Sequence, residues 1–179
     1  EEAKELYEKY KGQILGIISD VSFTHNGEKD KTAGIKLAKE LKKRNPYIPI
    51  ILESSEVENA FYAEKLGVSF IDKNSKKFPQ DLRKTIYDNF GFGDFIIKNP
   101  QTGEEVMRIT DLKDLQNKLF DIPAESLLYH AQRNDISRWL YSRAMFPIAE
   151  IIQEHRFRDI NEAPVVKQLF FNLIVKYRK

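Results

Sequence analysis

An α/β fold built on a parallel sheet, followed by a β-hairpin and a mostly helical extension, is what this sequence predicts. Three observations predict it. Three short apolar runs, residues 14–18, 48–52 and 68–71, are each followed by polar residues, the pattern of strands buried on both faces of a parallel sheet. Apolar residues at helical spacing lie between the runs, and strands alternating with helices at this pitch imply right-handed crossovers. From Gly91 the pattern changes to two β-forming runs around a turn, and then to successive helical stripes.

Each element has its own signal. Ala3, Leu6, Tyr7 and Tyr10 recur at helical spacing before Gly12, which predicts a helix over residues 2–11. Ile14, Leu15, Gly16, Ile17 and Ile18 form the first strand, closed by Ser19 and Asp20, and residues 24–30 follow as a polar loop. Ile35, Leu37, Ala38 and Leu41 mark a helix that stops near Asn45 and Pro46. The second strand, residues 48–52, carries Pro49 near its start, where a missing N–H is tolerated. Val57, Ala60, Phe61 and Leu66 make the next helix, stopped by Gly67. Residues 68–71 are the third strand, and Leu82, Ile86 and Phe90 line a closing helix.

Beyond it, residues 95–98 and 106–109 flank Asn99, Pro100, Gln101, Thr102 and Gly103, a hairpin signal. Thr110 is the expected cap of a helix reaching Leu119. Further helices are predicted near 124–132, 135–144, 146–155 and 163–177. The expected organisation is a partial α/β domain over residues 1–90 and a hairpin with helical extension over 91–179.

Composition narrows the class. Lys and Arg total 29 against 27 Asp and Glu, too balanced a surface to predict nucleic-acid binding. With no cysteine, disulfides and thiolate metal sites are excluded. No apolar stretch approaches the roughly 18 residues of a membrane span, and no signal-peptide pattern opens the chain. The expectation is a cytoplasmic globular protein without membrane or nucleic-acid partners. A start without Met, inside a helical pattern, is what a fragment of a longer protein is expected to show.

Asp20, Ser54 and Lys73 each follow one of the three apolar runs. In an open parallel sheet those strand ends share one edge, where loops converge and sites are built. The three residue types suit phosphoryl chemistry. A carboxylate attacks phosphorus, a hydroxyl hydrogen-bonds the resulting acyl phosphate, and an ammonium compensates its charge.

The segments Ile17-Ile18-Ser19-Asp20, Ala33-Gly34-Ile35-Lys36-Leu37, Ile48 to Ser55 and Gly67 to Lys73, in that order, resemble the receiver domain of response regulators. The resemblance covers residues 1–90 and implies a flavodoxin-like fold lacking its first strands. It implies Asp20 as phosphoacceptor, supplied by a histidine kinase or another phosphodonor, with Ser54 and Lys73 sensing the phosphate. Mg²⁺ is the implied cofactor of the intact protein, held by Asp20 and the backbone carbonyl of Ser22, the remaining ligands lying outside this chain. Asn74 stands where the family has proline, and the loop from Asp20 to Gly34 is longer than the family's. The acidic pair that ends the family's first strand has no counterpart here, so weak phosphorylation of this chain alone is expected.

The segments 89–95 and 125–134, continued by Ser137, Arg138, Trp139, Leu140 and Ala144, are similar to a region found in large proteins. In these a receiver-like region precedes a phosphoenolpyruvate synthase or pyruvate phosphate dikinase-like region. The implied role is a regulatory, non-enzymatic module whose partners are the downstream ATP-grasp and phosphoenolpyruvate-utilising domains. A degenerate receiver serving only protein interaction or dimerisation is the rival expectation. No nucleophile–base pair and no phosphate-cradling glycine loop argues for an enzyme confined to these residues.

His130 invites a phosphorelay reading, but Leu127, Leu128 and Ala131 around it favour a packed structural histidine. Arg133, Arg138 and Arg143 step by five residues, so they wrap a helix and read as salt-bridging or capping groups. The first strand lacks a predicted outer neighbour. Either the hairpin strands or a second molecule is expected to cover it.

Overall fold

The computed structural model describes residues 2–25, 27–155 and 157–178, with the side chain of His25 left out of the description. The chain divides into two compact units, Glu1–Phe90 and Gly91–Lys179. The first is α/β, with a parallel sheet of three strands in the order β1 (Ile17–Asp20), β4 (Ile50–Ser54), β5 (Ser69–Asp72). Ile17 lies beside Ile50 and Asp20 beside Glu53, while Ile51 lies beside Ser69 and Ser54 beside Asp72.

Both crossovers run the same way along the sheet, so their helices, α2 (Ala33–Arg44) and α3 (Ala60–Leu66), share one face. Ala38, Leu41 and Ala63 from these helices, with Tyr7 of α1 (Glu2–Tyr10), pack on Ile50 and Leu52 there. The other face joins Ile51 and Ile71 to Phe90 and to Phe78, Leu82 and Ile86, which come from or follow α4 (Phe78–Asn89). Period-two alternation along β4 thus feeds two cores, and its residues Ile50, Ile51 and Leu52 are all buried.

The structure corrects the expected strands in three ways. Each begins later than its apolar run, because the ladder starts where Ile17 N–H donates to Pro49 O at 3.0 Å. Ile14 and Leu15 still pack on the two cores without joining the ladder. Burial on both faces holds for β4 but fails for β1, whose Ile18 is 43% exposed. Among the described residues β1 has a strand neighbour on one side only. Finally, the segment read as a polar loop contains a small antiparallel hairpin, β2 (Phe23–His25) with β3 (Glu28–Asp30). It closes through Gly27 at φ 82°. Asp30 then accepts from the Thr32 N–H and hydroxyl and from Lys36, contacts that hold its carboxyl down at about 2.

The second unit opens with the hairpin β6 (Phe95–Lys98) and β7 (Glu105–Ile109). Asn99 Oδ1 accepts from the N–H groups of Gln101 and Thr102 in its turn. These strands pair with each other, and among the described residues no strand flanks the outer side of β1. The expectation that the hairpin covers that edge is therefore corrected. Helices α5 (Leu112–Lys118), α6 (Ala124–Gln132), α7 (Asp135–Tyr141), α8 (Phe146–Glu154) and α9 (Ala163–Tyr177) complete the unit. Asp111, and not the expected Thr110, caps α5, accepting from Asp114 N–H at 2.8 Å. The core gathers Trp139, Phe170, Leu115, Leu119 and Leu127. No helix among the described residues is long and apolar enough to cross a membrane.

Candidate functional site

The C-terminal edge of the parallel sheet brings together two of the residues singled out from sequence. Lys73 follows β5, and its N–H donates to Ser54 O at 2.9 Å, which carries the ladder one residue past the strand. From that anchor its Nζ donates to both carboxylate oxygens of Asp20, at 2.8 Å and 3.0 Å. Glu53, Asp20's neighbour across the ladder, lies 4.0 Å from the same ammonium. The hydrogen bond to Asp20 raises the Lys73 pKa above its ordinary value; slight burial opposes this, and the charges of Asp20 and Glu53 add to it.

Ser54 ends the central strand and is 7% exposed. Its Oγ accepts from the Glu56 N–H at 3.0 Å and the Asn59 side-chain amide at 3.1 Å. Both lone pairs are thereby engaged, which leaves the hydroxyl hydrogen as the group available for donation. Ser54 faces Asp72 across the ladder, and its side chain makes no hydrogen bond to Asp20 or Lys73.

Three further residues shape this edge and were not singled out from sequence for it. Glu53 supplies a second negative charge beside Lys73. Asn59 holds Ser54 from the turn after β4. Asn74, noted only as a departure from the receiver pattern, donates from its side chain to Ser55 O at 2.9 Å and so ties two loops together. A side-chain amide in a loop has no periodic signature, so only the folded geometry identifies such residues.

Gly34 sets how closely α2 approaches the edge. Its N–H donates to Val21 O at 2.9 Å, and a Cβ built on it would lie 2.0 Å from Asp20 O. Only a residue without a side chain lets the start of α2 pass over the backbone that carries Asp20.

The divalent cation implied by the receiver resemblance requires several oxygen ligands around one point. Among the described residues no group of three or more His, Cys, Asp or Glu is placed to hold one. Asp20 is bonded to an ammonium, and Ser22, expected to offer its carbonyl, has a buried hydroxyl without a hydrogen-bond partner. Among the described residues Asp20 and Ser22 are joined by no further acidic ligand that would complete such a set.

His130, in the other unit, is buried and has both ring nitrogens engaged. Nε2 accepts from Lys98 N–H at 2.9 Å, so the ring proton is assigned to Nδ1, which lies 2.8 Å from Asp135 Oδ2. Asp135 also receives Arg133 and Arg138. Burial pushes the Asp135 pKa up, but the His130 hydrogen bond and the charges of Arg138 and Arg133 outweigh it and lower the carboxyl. A histidine with no free nitrogen joins hairpin to helix and is not placed to accept a phosphoryl group. Arg143 donates to Gly91 O and Gly93 O at 2.8 Å and lies over the Trp139 ring.

Compared with protein-family models, with curated proteins and with solved structures, the chain gives no match.

Proposed function

We propose that residues 1–90 are a receiver-like, flavodoxin-type regulatory module in which Asp20 accepts a phosphoryl group. Lys73 and Ser54 read its presence, and the chain serves as the regulatory part of a larger phosphoenolpyruvate synthase-like protein. The observation that carries this reading is Lys73 Nζ bonded to both oxygens of Asp20 at the C-terminal edge of a parallel sheet. An Asp20 oxygen attacks the phosphorus of an acyl phosphate donor, the donor's P–O bond breaks, and a carboxylate leaves. The ammonium then moves its hydrogen bonds from the carboxylate to the new phosphoryl oxygens, and the Ser54 hydroxyl, whose hydrogen is uncommitted, donates to one of them. That movement is the switch, because Ser54 is tied through Glu56 and Asn59 to the turn that begins α3.

A second reading, an interaction module that never carries phosphate, draws on the absence of a cation-binding acidic group beside Asp20 among the described residues. Incubation with acetyl phosphate and Mg²⁺, followed by intact mass measurement, separates the two. Slow, substoichiometric, hydroxylamine-sensitive labelling that disappears in Asp20→Asn supports the phosphoacceptor. Labelling that survives Asp20→Asn overturns it, and no labelling at any donor concentration favours the interaction module.

A further inference from the structure

We infer that Glu53 is a specificity-determining residue of the sheet-edge site, one that selects against phosphoryl donors carrying two negative charges. The inference rests on the reading of Asp20 as phosphoacceptor, and adds to it a residue and a class of donor. β4 is apolar up to this point, with Ile50, Ile51 and Leu52 all buried. A carboxylate then follows, its side chain only 19% exposed. Its one ion-pair contact among the described residues is Lys73, at 4.0 Å, which is longer than a hydrogen bond. A largely covered charge held so loosely recovers little of its desolvation cost. Stability alone does not account for an acidic residue at this position.

The register shows what the charge faces. Glu53 lies beside Asp20 across the parallel ladder, and residues paired in this way project from the same face of a sheet. Lys73 comes from the far side of β4, since the strand order is β1-β4-β5, and it donates to both Asp20 oxygens. Two carboxylates therefore share one ammonium. Beyond the hydrogen bond to Asp20, the Glu53 charge adds to the rise in the Lys73 pKa, so it is felt at the ammonium. To reach Asp20, a donor's phosphoryl oxygens have to draw that ammonium from the carboxylate, and Glu53 stands 4.0 Å from it. A dianionic phosphoryl group meets Glu53 with twice the repulsion of a monoanionic one. The bonds exchanged are the same for both. An Asp20 oxygen attacks phosphorus, and the donor's bond to phosphorus breaks with its electron pair leaving on the departing group. That group is acetate from acetyl phosphate, or ammonia from the protonated nitrogen of phosphoramidate. Glu53 acts on the approach by its charge and takes no part in these bonds.

The test compares the two donors on the full chain at neutral pH, fixed Mg²⁺ and low ionic strength, with labelling rates read by intact mass. Acetyl phosphate is then a dianion and phosphoramidate a monoanion. Glu53→Gln is expected to raise the ratio of acetyl phosphate to phosphoramidate rates about fivefold, the effect of one further unit charge about 4 Å away in water. Glu53→Asp keeps the charge and should keep the ratio of the unmodified chain. In about 1 M salt, where the screening length is roughly 3 Å, the unmodified chain and Glu53→Gln should converge, a response that a merely structural role for Glu53 would not give. An unchanged ratio in Glu53→Gln, a difference that persists in high salt, or a Glu53→Asp protein that behaves as Glu53→Gln overturns this inference while leaving Asp20 as phosphoacceptor. Absence of label from both donors in all three proteins removes the phosphoacceptor reading, and this inference with it.

Discussion

Replacing Gly34 by Ala tests whether the start of α2 really rests on the backbone that carries Asp20. The added Cβ would lie 2.0 Å from Asp20 O, 2.9 Å from Asp20 C and 3.0 Å from Val21 Cα. All three are backbone atoms, so no side-chain rotation relieves the overlap. The helix start has to retreat by more than an ångström, which breaks the Gly34 N–H bond to Val21 O. Overpacking of this kind costs about 1–3 kcal/mol, and the lost hydrogen bond about 1 kcal/mol more. Ala's better helix propensity returns roughly 0.5–1 kcal/mol. The net loss is about 2 kcal/mol, or a fall of roughly 1 M in urea midpoint at a slope near 2 kcal/mol/M. Urea unfolding of the full chain should be followed both by far-ultraviolet circular dichroism and by fluorescence of Trp139, the single tryptophan, in the second unit. The loss should show in the dichroism transition of the first unit. A Gly34→Ala protein as stable as the parent, or more stable, would show that α2 does not seat on Asp20.

Ser54→Ala leaves the Glu56 N–H and the Asn59 amide without their shared acceptor. Because that acceptor is buried, a loss of about 1–3 kcal/mol is expected by the same unfolding assay. Asp135 carries a pKa below its ordinary value. A lowered folded-state pKa contributes stability that is complete above the unfolded value, near 3.9, and is lost as pH falls through the folded one. Thermal melts read by Trp139 should therefore weaken progressively below about pH 4, and Asp135→Asn should be less stable at neutral pH with a flatter acid limb. An unchanged acid limb in Asp135→Asn would remove the carboxylate from this account. In acetyl phosphate labelling, Lys73→Met should alter stability by at most about 1 kcal/mol, as for other half-exposed pairs. Any labelling it retains should no longer bring about a conformational change detectable by protease sensitivity.

Much of the architecture is legible in one dimension, for a physical reason. Burial is periodic, so period-two and period-3.6 patterns report which residues face a core before any fold is known. The three apolar runs lead to the three strands, and the stripes between them lead to α2, α3 and α4. The helices near 124–132 and 163–177 were readable to the residue at both ends. Strand limits were less legible, because apolarity reports burial while the ladder depends on which N–H groups find partners; Ile14 and Leu15 are packed but unpaired. The β2–β3 hairpin escaped notice because a three-residue polar ladder, Phe23–His25 with Glu28–Asp30, has no apolar face to pattern it.

The sequence by itself determined the residue types at the sheet edge. Asp20, Ser54 and Lys73 each follow an apolar run, and a parallel sheet has to carry such positions to one side. What only the tertiary structure decided is how they are engaged. Lys73 spans 53 residues of chain to hold Asp20, with Glu53 as a second anion. Ser54 turns instead to Glu56 and Asn59, and His130 spends both nitrogens on Lys98 and Asp135. Hydrogen bonds depend on ångström-scale distances between residues far apart in sequence, and no local pattern records those distances. That no described strand pairs with the outer side of β1 is of the same kind. An apolar strand is written in its residues, whereas the number of its neighbours is a property of the assembled sheet.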